Sequence, residues 1–370
     1  MKINENCKIN FNNVSLADNG KELVMEYEGK CFVINDFIFS IIHFLKKENN
    51  IDSDKVYEKF SLNQEEFDFV LSNIEEKLQV KETKSKGGIF FRFTIFRKNH
   101  VNTITDLLKH LIPKKESHFF MLFVLIFSLF ISAFIFETNS AVGKNYLKIT
   151  NKYEVFYLYL SIFFASVFHE FGHASAAKRF RLTPGEIGFG FFFIFPVFYS
   201  NVTTIWTLDK MKRIVVNLSG IYYQLIFAIL IFLFVKDTNF IILFLKANLA
   251  IIIFSLLPFL KNDGYWVLSD YFDLKGLYGR SYTYLISLWR GNEKFNNFLF
   301  IYSIIHFCMV FYLLFTFLRF FILKVINIYT LTPSLEFDYF LTVGKFIFNL
   351  FILYTLSLRL LTFFNTPKNV

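Results

Sequence analysis

Cysteine and charge are both scarce in this sequence. Its three cysteines, Cys7, Cys31 and Cys308, form no CxxC pair, so neither a disulfide framework nor a cysteine-based zinc site is indicated. The first residues, MKINENCKIN, contain no apolar segment of the kind found in cleavable secretion signals. We therefore expect the front of the chain to remain in the cytoplasm.

Charged residues make up 19% of the chain, whereas hydrophobic residues make up 54% and aromatic residues 21%, with 55 phenylalanines. The mean hydropathy is +0.43. A soluble domain of 370 residues has no core large enough to bury that much apolar side chain. The composition excludes intrinsic disorder, argues against an ordinary cytosolic enzyme, and predicts a mainly α-helical multi-span membrane protein.

Charge divides the chain into two parts. Residues 1–116 contain 18 Lys/Arg and 18 Asp/Glu, whereas residues 117–370 contain 21 Lys/Arg and 12 Asp/Glu, so the net charge of +9 lies in the second part. We interpret residues 1–98 as a cytoplasmic domain, 99–116 as an amphipathic linker and 117–370 as a membrane domain. The neutral front domain lacks the basic surface that binding to nucleic acid requires.

The pattern of the front domain is typical of a small αβ module of the winged-helix type. A turn signal at Asp18-Asn19-Gly20 separates two β-rich segments within residues 1–33. Three helical patterns and a strand follow, at residues 36–47, 53–60, 63–78 and 89–97. The alternative is a generic cytoplasmic cap with no specific partner.

Six apolar stretches of the membrane domain are long enough to cross a bilayer, which needs roughly 20 residues. They cover residues 118–136, 154–177, 214–235, 239–260, 296–323 and 338–364. Basic residues concentrate in loops 178–213 and 261–295, which predicts a cytoplasmic N-terminus and C-terminus by the positive-inside rule. Residues 184–206, apolar but interrupted by glycine and proline, predict a β-like or re-entrant membrane-embedded segment.

The second span contains the motif HEFGH, with His169, Glu170 and His173. On a helix, residues i and i+4 share a face, so both imidazoles can bind one zinc ion while the glutamate acts as general base. The alternative, two structural histidines beside an unrelated glutamate, is disfavoured because ionisable groups within a span are costly. Zinc requires a third protein ligand. Asp263, in the sequence PFLKNDG after the fourth span, is a better candidate than Glu186, although Asn-Asp-Gly is also a turn signal.

These two motifs resemble those of the site-2 protease family of intramembrane zinc metalloproteases, whose second motif is similar to N-x-x-P-x-x-x-x-D-G. This chain reads SLLPFLKNDG there, with Ser255 at the asparagine position. The segments LLPFLKNDGYWVLSD and IGFG…FPVFYSNVTTIW look closer still to a bacterial branch, the peptide zinc metalloproteases found with ribosomally made peptide and bacteriocin systems. The front domain, around FVINDFIFSIIHFL, resembles PqqD-like winged-helix modules.

The resemblance implies one zinc ion per chain, held by the two histidines and Asp263. It implies that Glu170 assists the attack of zinc-bound water on the scissile amide. The β-like segment would hold an extended substrate by strand addition, and the PqqD-like module would recognise a leader peptide in the same way. The candidate substrate-binding residues are Gly188, Phe189, Gly190 and Ser255.

The implied function is an intramembrane zinc metalloendopeptidase of the bacterial cell membrane that cleaves a small ribosomally made precursor peptide during maturation. The expected partners are the precursor peptide, a peptide exporter and the lipid bilayer. Two alternatives stay open: regulated intramembrane proteolysis of a membrane-anchored regulator, and a non-catalytic transport or immunity protein on the same scaffold. A di-iron desaturase is disfavoured because its several histidine boxes need more than the seven histidines present.

Overall fold

The computed structural model describes residues 14–27, 30–47, 53–79, 89–140, 152–192, 195–259, 261–274 and 276–330. The predicted sixth span, 338–364, and the first part of the predicted N-terminal β-rich region lie outside the described residues. The described part of the chain is mainly helical and contains two sheets of three strands each.

The first sheet is antiparallel, in the order β1 (Ser15–Asp18), β2 (Leu23–Tyr27) and β3 (Lys30–Ile34). The predicted turn between the first two strands is confirmed. The Asp18 carboxylate accepts a hydrogen bond of 2.9 Å from the N–H of Gly20. Gly20 has a φ of +82°, which glycine adopts without strain.

Three helices follow this sheet, namely α1 (Asp36–Lys47), α2 (Ser53–Phe60) and α3 (Gln64–Gln79). They confirm the three predicted helical patterns. Their apolar faces enclose one core with the sheet, whose buried members are Val14, Met25, Ile34, Ile41, Ile42, Leu45, Val56, Phe67 and Ile74. The winged-helix type of this module stays a prediction.

The predicted strand at 89–97 is present as β4 (Ile89–Phe96). The sequence interpretation grouped it with the N-terminal module, whereas the structure pairs it with β5 (Ile187–Phe192), which pairs in turn with β6 (Phe195–Ser200). Aromatic and β-branched residues favour a strand but do not specify its partner. The β-like character predicted for the segment after the second span is confirmed by β5 and β6.

Four helices in the described part of the chain are long and apolar enough to cross a membrane. They are α5 (Glu116–Ser140), α6 (Lys152–Arg179), α7 (Lys210–Phe234) and α8 (Thr238–Leu256), and they correspond to the first four predicted spans. The other helices are α4 (Lys98–Leu108), α9 (Asp263–Tyr271), α10 (Leu277–Trp289) and α11 (Asn297–Thr330). The predicted fifth span, 296–323, falls within α11 except for its first residue.

Helix α4, in the predicted amphipathic linker, packs its apolar side on α6. Val101 is buried in one cluster with Phe171 and Ala174 of the motif helix. At the C-terminal end of α4, the hydroxyl of Tyr223 donates a hydrogen bond of 2.6 Å to the carbonyl of Leu108. The linker thus contacts both α6, which contains the HEFGH motif, and α7, which packs against it.

Helices α6 and α7 approach each other closely at two glycines. A Cβ built on Gly172 would overlap the carbonyl group of Ser219, and one built on Gly220 would overlap the Nε2 atoms of His169 and His173. Small residues allow helix backbones to come this close in apolar surroundings. The crossing therefore sets the motif helix directly against α7.

The first sheet contacts the segment that connects β6 to α7. The side-chain amide of Asn19 donates a hydrogen bond of 3.2 Å to the carbonyl of Trp206, which lies in the 3-10 turn Thr203–Thr207. Lys21 forms an ion pair of 2.8 Å with Asp273, just after α9. The N-terminal module is therefore attached to the two segments that lead into α7 and out of α9.

Helices α10 and α11 belong to a second unit of the chain. Within it, Ser281 Oγ lies 2.7 Å from Nδ1 of the buried His306, and the Tyr284 hydroxyl accepts a hydrogen bond of 2.6 Å from the N–H of Asn296. Polar contacts of this kind join apolar helices in the absence of a hydrophobic driving force.

The glycine at the crossing of α6 and α7 gives a direct test of the fold. We expect Gly172→Ala to destabilise the protein by about 1–3 kcal/mol, because the added methyl group forces apart two packed backbones. Gly279→Ala is the matched control, since Gly279 also lies in a helix but its added Cβ would have no atom of the described residues within 4 Å. Thermal unfolding of the detergent-purified variants measures both, and equal melting temperatures for the two would contradict the tight crossing.

Candidate metal centre

Both histidines of the HEFGH motif lie on one face of α6, which is helical throughout the motif. The ring centroids of His169 and His173 are 4.8 Å apart, and their Nε2 atoms are 3.1 Å apart. His173 is buried and His169 is partly buried. The two imidazoles therefore converge on one point in the interior.

Asp263 reaches the histidines because the chain turns sharply between α8 and α9. The side-chain amide of Asn262 donates a hydrogen bond of 2.9 Å to the Phe254 carbonyl, which ties the turn back to the end of α8. Gly264 lies so close to Leu256 that an added Cβ would overlap the Leu256 carbonyl. The Asn-Asp-Gly sequence thus forms a turn and presents a carboxylate at the same place.

The Asp263 carboxylate completes a triangle of donor atoms. Its Oδ2 lies 3.0 Å from Nε2 of His169, and its Oδ1 lies 3.4 Å from Nε2 of His173. Donors of a tetrahedral zinc ion, at a zinc–nitrogen distance of about 2.05 Å, lie about 3.3 Å from one another. The separations of 3.0, 3.1 and 3.4 Å between the donor atoms match that spacing.

Hydrogen bonds at the outer edges of the two rings determine which nitrogen faces the centre. Nδ1 of His173 lies 2.8 Å from the carbonyl oxygen of Val216, which can only accept, so this nitrogen carries a proton. Nδ1 of His169 lies 3.1 Å from Oε1 of Gln224. The unprotonated Nε2 of His173 is therefore left to face the centre, as in neutral histidine ligands of metals.

The donor set fits a zinc ion. Oδ2 of Asp263 is buried and accepts no hydrogen bond within the described part of the chain. Burial raises the pKa of the Asp263 carboxyl, but positive charge on His173 and His169 outweighs that effect and holds the pKa below its usual range. With both rings neutral, as metal ligands are, a bound cation would have to supply that positive charge. A charged carboxylate and two imidazole nitrogens without a shared cation would be costly to bury together. Two histidines and a carboxylate form an established catalytic zinc donor set with one position left for water.

Glu170 lies beside the donor triangle. It follows His169 on α6 and is partly buried. It is close enough to His173, His169 and Asp263 to interact electrostatically with all three. The three residues whose donor atoms lie within 4.8 Å of one another are the two histidines and Asp263, without Glu170. A carboxylate next to a metal centre but outside its ligand set is suited to proton transfer.

A buried ion pair holds α9 against α7, and the sequence interpretation missed it. Arg213 Nε donates a hydrogen bond of 2.7 Å to Oδ1 of Asp270, and the amide of Asn217 donates one of 3.2 Å to Oδ2. Burial raises the pKa of the Asp270 carboxyl, and the Arg213 guanidinium opposes this rise. Because Asp263 begins the same short helix, this pair also limits where Asp263 can lie. The sequence did contain a signal for this contact, namely polar residues near the start of the apolar helix α7.

The predicted substrate-binding residues lie in two elements: Gly188, Phe189 and Gly190 in β5, and Ser255 in the last turn of α8. A Cβ on Gly188 would lie 2.6 Å from the Phe93 carbonyl of β4 and 2.5 Å from the Tyr199 ring of β6. Phe189 packs edge-on against Phe198, with ring centroids 5.3 Å apart. These contacts are internal to the second sheet, and the assignment of these residues to substrate stays a prediction.

Comparison with known proteins adds one partial similarity. The chain is 30% identical over 112 residues to the protein named "Putative peptide zinc metalloprotease protein YydH" from Bacillus subtilis (strain 168). The match covers 29% of this chain and 44% of that protein, so the chain spans less than half of the relative's length. No protein-family model matches the chain, and no solved structure matches it. The similarity supports a relationship to zinc metalloproteases, which agrees with the donor set.

Removal of a single donor residue tests the metal centre. We expect His173→Ala and Asp263→Ala to weaken zinc binding by more than about 100-fold, since loss of an outer hydrogen-bond partner alone costs about 10–100-fold. Zinc content of the purified, dialysed protein, measured by mass spectrometry, reports the loss.

The matched control is His306→Ala, which removes another buried histidine, one whose ring contacts Ser281. This variant should retain zinc. Full zinc content in Asp263→Ala would show that Asp263 is a turn residue and no ligand.

Proposed function

We propose that this protein is a membrane zinc metalloendopeptidase. The observation that carries the proposal is the convergence of His169, His173 and Asp263 on one point, with Glu170 beside them. Four helices long and apolar enough to cross a membrane support the membrane location. The partial similarity to a protein named as a peptide zinc metalloprotease supports the type of reaction.

Each residue of the centre would have a different role in peptide hydrolysis. When bound, the zinc ion would supply Lewis-acid activation of water and of the scissile carbonyl. Glu170 would take a proton from the attacking water and deliver it to the leaving amine. The Val216 carbonyl and the Gln224 amide would hold the two imidazole rings in place while the substrate reacts.

The position of the motif on α6 supports access from the cytoplasm. His173 precedes Arg179, the last residue of the helix, by six residues, which corresponds to about 9 Å along the helix axis. In the proposed topology, with both termini in the cytoplasm of a bacterium, the basic end of α6 faces the cytoplasm. The centre would then lie in the cytoplasmic half of the cell membrane.

The second sheet supplies a means to present an extended substrate. A helical substrate hides its peptide bonds in its own hydrogen bonds, so it must unwind before hydrolysis. An extended peptide can add to the edge of a sheet, which exposes its amides. Because β5 is the central strand of the sheet, the substrate would add to an edge strand. Phe189 and Gly190 would act from the face of the sheet, and Gly188 would act by leaving room for the Tyr199 ring.

The proposed substrate is a small ribosomally made precursor peptide, with a peptide exporter as a further partner. The N-terminal module would bind the leader part of the precursor at β3, which pairs only with β2 in the described part of the chain. Val33 of this strand is 56% exposed, which suits it for contact with a peptide. The zero net charge of residues 1–116, which include the module, argues against nucleic acid as a partner. A membrane-anchored regulator is the competing substrate.

A substitution can distinguish the role of the proposed general base from that of the metal ligands. We expect Glu170→Gln to retain zinc but to lose activity by at least about 100-fold, because the amide cannot accept the proton from water. Cleavage of a quenched fluorescent peptide library by the detergent-solubilised protein measures the activity. Glu186→Gln, which alters a carboxylate in the loop before β5, should cleave as the unaltered protein does. Full activity in Glu170→Gln would refute the mechanism.

The role of the N-terminal module can be tested without deleting it. We expect Val33→Glu to weaken binding of a precursor peptide by about tenfold or more, since an added strand would place a charge against its apolar side chains, while zinc content stays unchanged. Phe69→Glu, at another exposed apolar residue of the same module, is the control and should bind normally. Unchanged peptide affinity in Val33→Glu, measured by fluorescence anisotropy, would exclude β3 as the docking edge.

A further inference from the structure

The structure holds two buried amides that the proposed reaction does not use directly. Gln224 of α7 is 1% exposed, and Asn248 of α8 is 0% exposed. Both lie within helices that are apolar enough to span a membrane, where an amide without partners is costly. We propose that Gln224, held by Asn248, is a positioning residue that sets the tautomer and the orientation of His169. This inference rests on the proposed function.

The two amides form a chain of hydrogen bonds that ends at the metal-ligand candidate. Nδ1 of His169 lies 3.1 Å from Oε1 of Gln224. Nε2 of Gln224 donates a hydrogen bond of 2.9 Å to Oδ1 of Asn248. Nδ2 of Asn248 donates one of 3.4 Å to the carbonyl of Phe244 in its own helix. The chain thus links α6, α7 and α8 through side chains alone.

The direction of every hydrogen bond follows from the last acceptor. A backbone carbonyl only accepts, so the Asn248 side chain must turn its NH₂ group towards Phe244 and its oxygen towards Gln224. Gln224 must then point its NH₂ group at Asn248 and its oxygen at His169. Nδ1 of His169 is therefore the protonated nitrogen, and Nε2 is left to bind the metal.

The two histidines differ in the kind of acceptor that keeps the proton on Nδ1. His173 donates to the Val216 carbonyl, which belongs to the backbone of α7 and cannot rotate. His169 donates to a side-chain amide, which could turn by 180° and present its NH₂ group instead. Asn248 removes that freedom. This explains why a second buried amide lies behind the first, on a third helix.

Substitutions at Gln224 separate positioning from simple helix packing. Gln224→Leu removes the acceptor, and we expect its zinc affinity to fall about 10–100-fold, as for other outer partners of metal ligands. Gln224→Glu loses the hydrogen bond to Asn248 but keeps an acceptor for His169, and because both carboxylate oxygens accept, it needs no partner to fix which way it turns. Its zinc affinity should therefore fall far less than that of Gln224→Leu. Zinc affinity is measured on the full-length protein in detergent by competition with a chromophoric chelator.

Asn248 is tested in the same way. Asn248→Asp retains an oxygen that accepts from Gln224 and should keep most of the affinity, whereas Asn248→Leu frees the amide to turn and should lower it. Ser219→Ala is the matched control, because this buried hydroxyl of α7 donates only to Val215 of its own helix in the described structure. Cobalt-substituted protein provides a second readout, since a reoriented imidazole changes the visible absorption bands.

The experiments distinguish failure of the positioning role from failure of the proposed peptidase function. Gln224→Leu with unchanged zinc affinity, or Gln224→Glu with a loss as large as that of Gln224→Leu, would overturn the positioning role. An unaltered protein that binds no zinc would overturn the metal centre and the inference together. The expected affinity pattern without any peptidase activity would support the positioning role while contradicting the proposed reaction.

Discussion

The close crossing of α6 and α7 is the constraint on which the rest of the centre depends. Gly172 admits the backbone of α7, and Gly220 admits the two imidazoles. The same crossing brings the Val216 carbonyl and the Gln224 amide to the outer edges of the rings. The helical spacing within α6 sets the separation of the histidines, and this one contact between helices then determines their orientation and the nitrogen that each presents.

Local patterns were enough to predict the elements that depend on neighbouring residues. The N-terminal turn, the three helices after the first sheet and the four apolar helices agree with expectations from composition and periodicity. His169 and His173 could be paired because four residues make about one helical turn. Asp263 could be selected because a proline and a glycine interrupt the end of a span close to a carboxylate.

Contacts between distant segments could not be predicted in the same way. The composition of β4 favours a strand, but nothing in it specifies β5 as the partner. Gln224, Asn248 and Arg213 were visible as polar residues in apolar helices, yet their partners depend on how each helix is rotated about its axis. The ion pair of Arg213 with Asp270 shows the same limit, since it joins residues 57 positions apart.

Gly220 has a consequence for how related sequences can be interpreted. A side chain at this position would occupy the space in front of both Nε2 atoms, so HExxH alone does not guarantee room for a metal. In this chain Gly220 is followed four residues later by Gln224, on the same face of α7. We expect a glycine and a glutamine at this spacing in the next long helix to distinguish chains with a competent centre from chains in which only the motif survives.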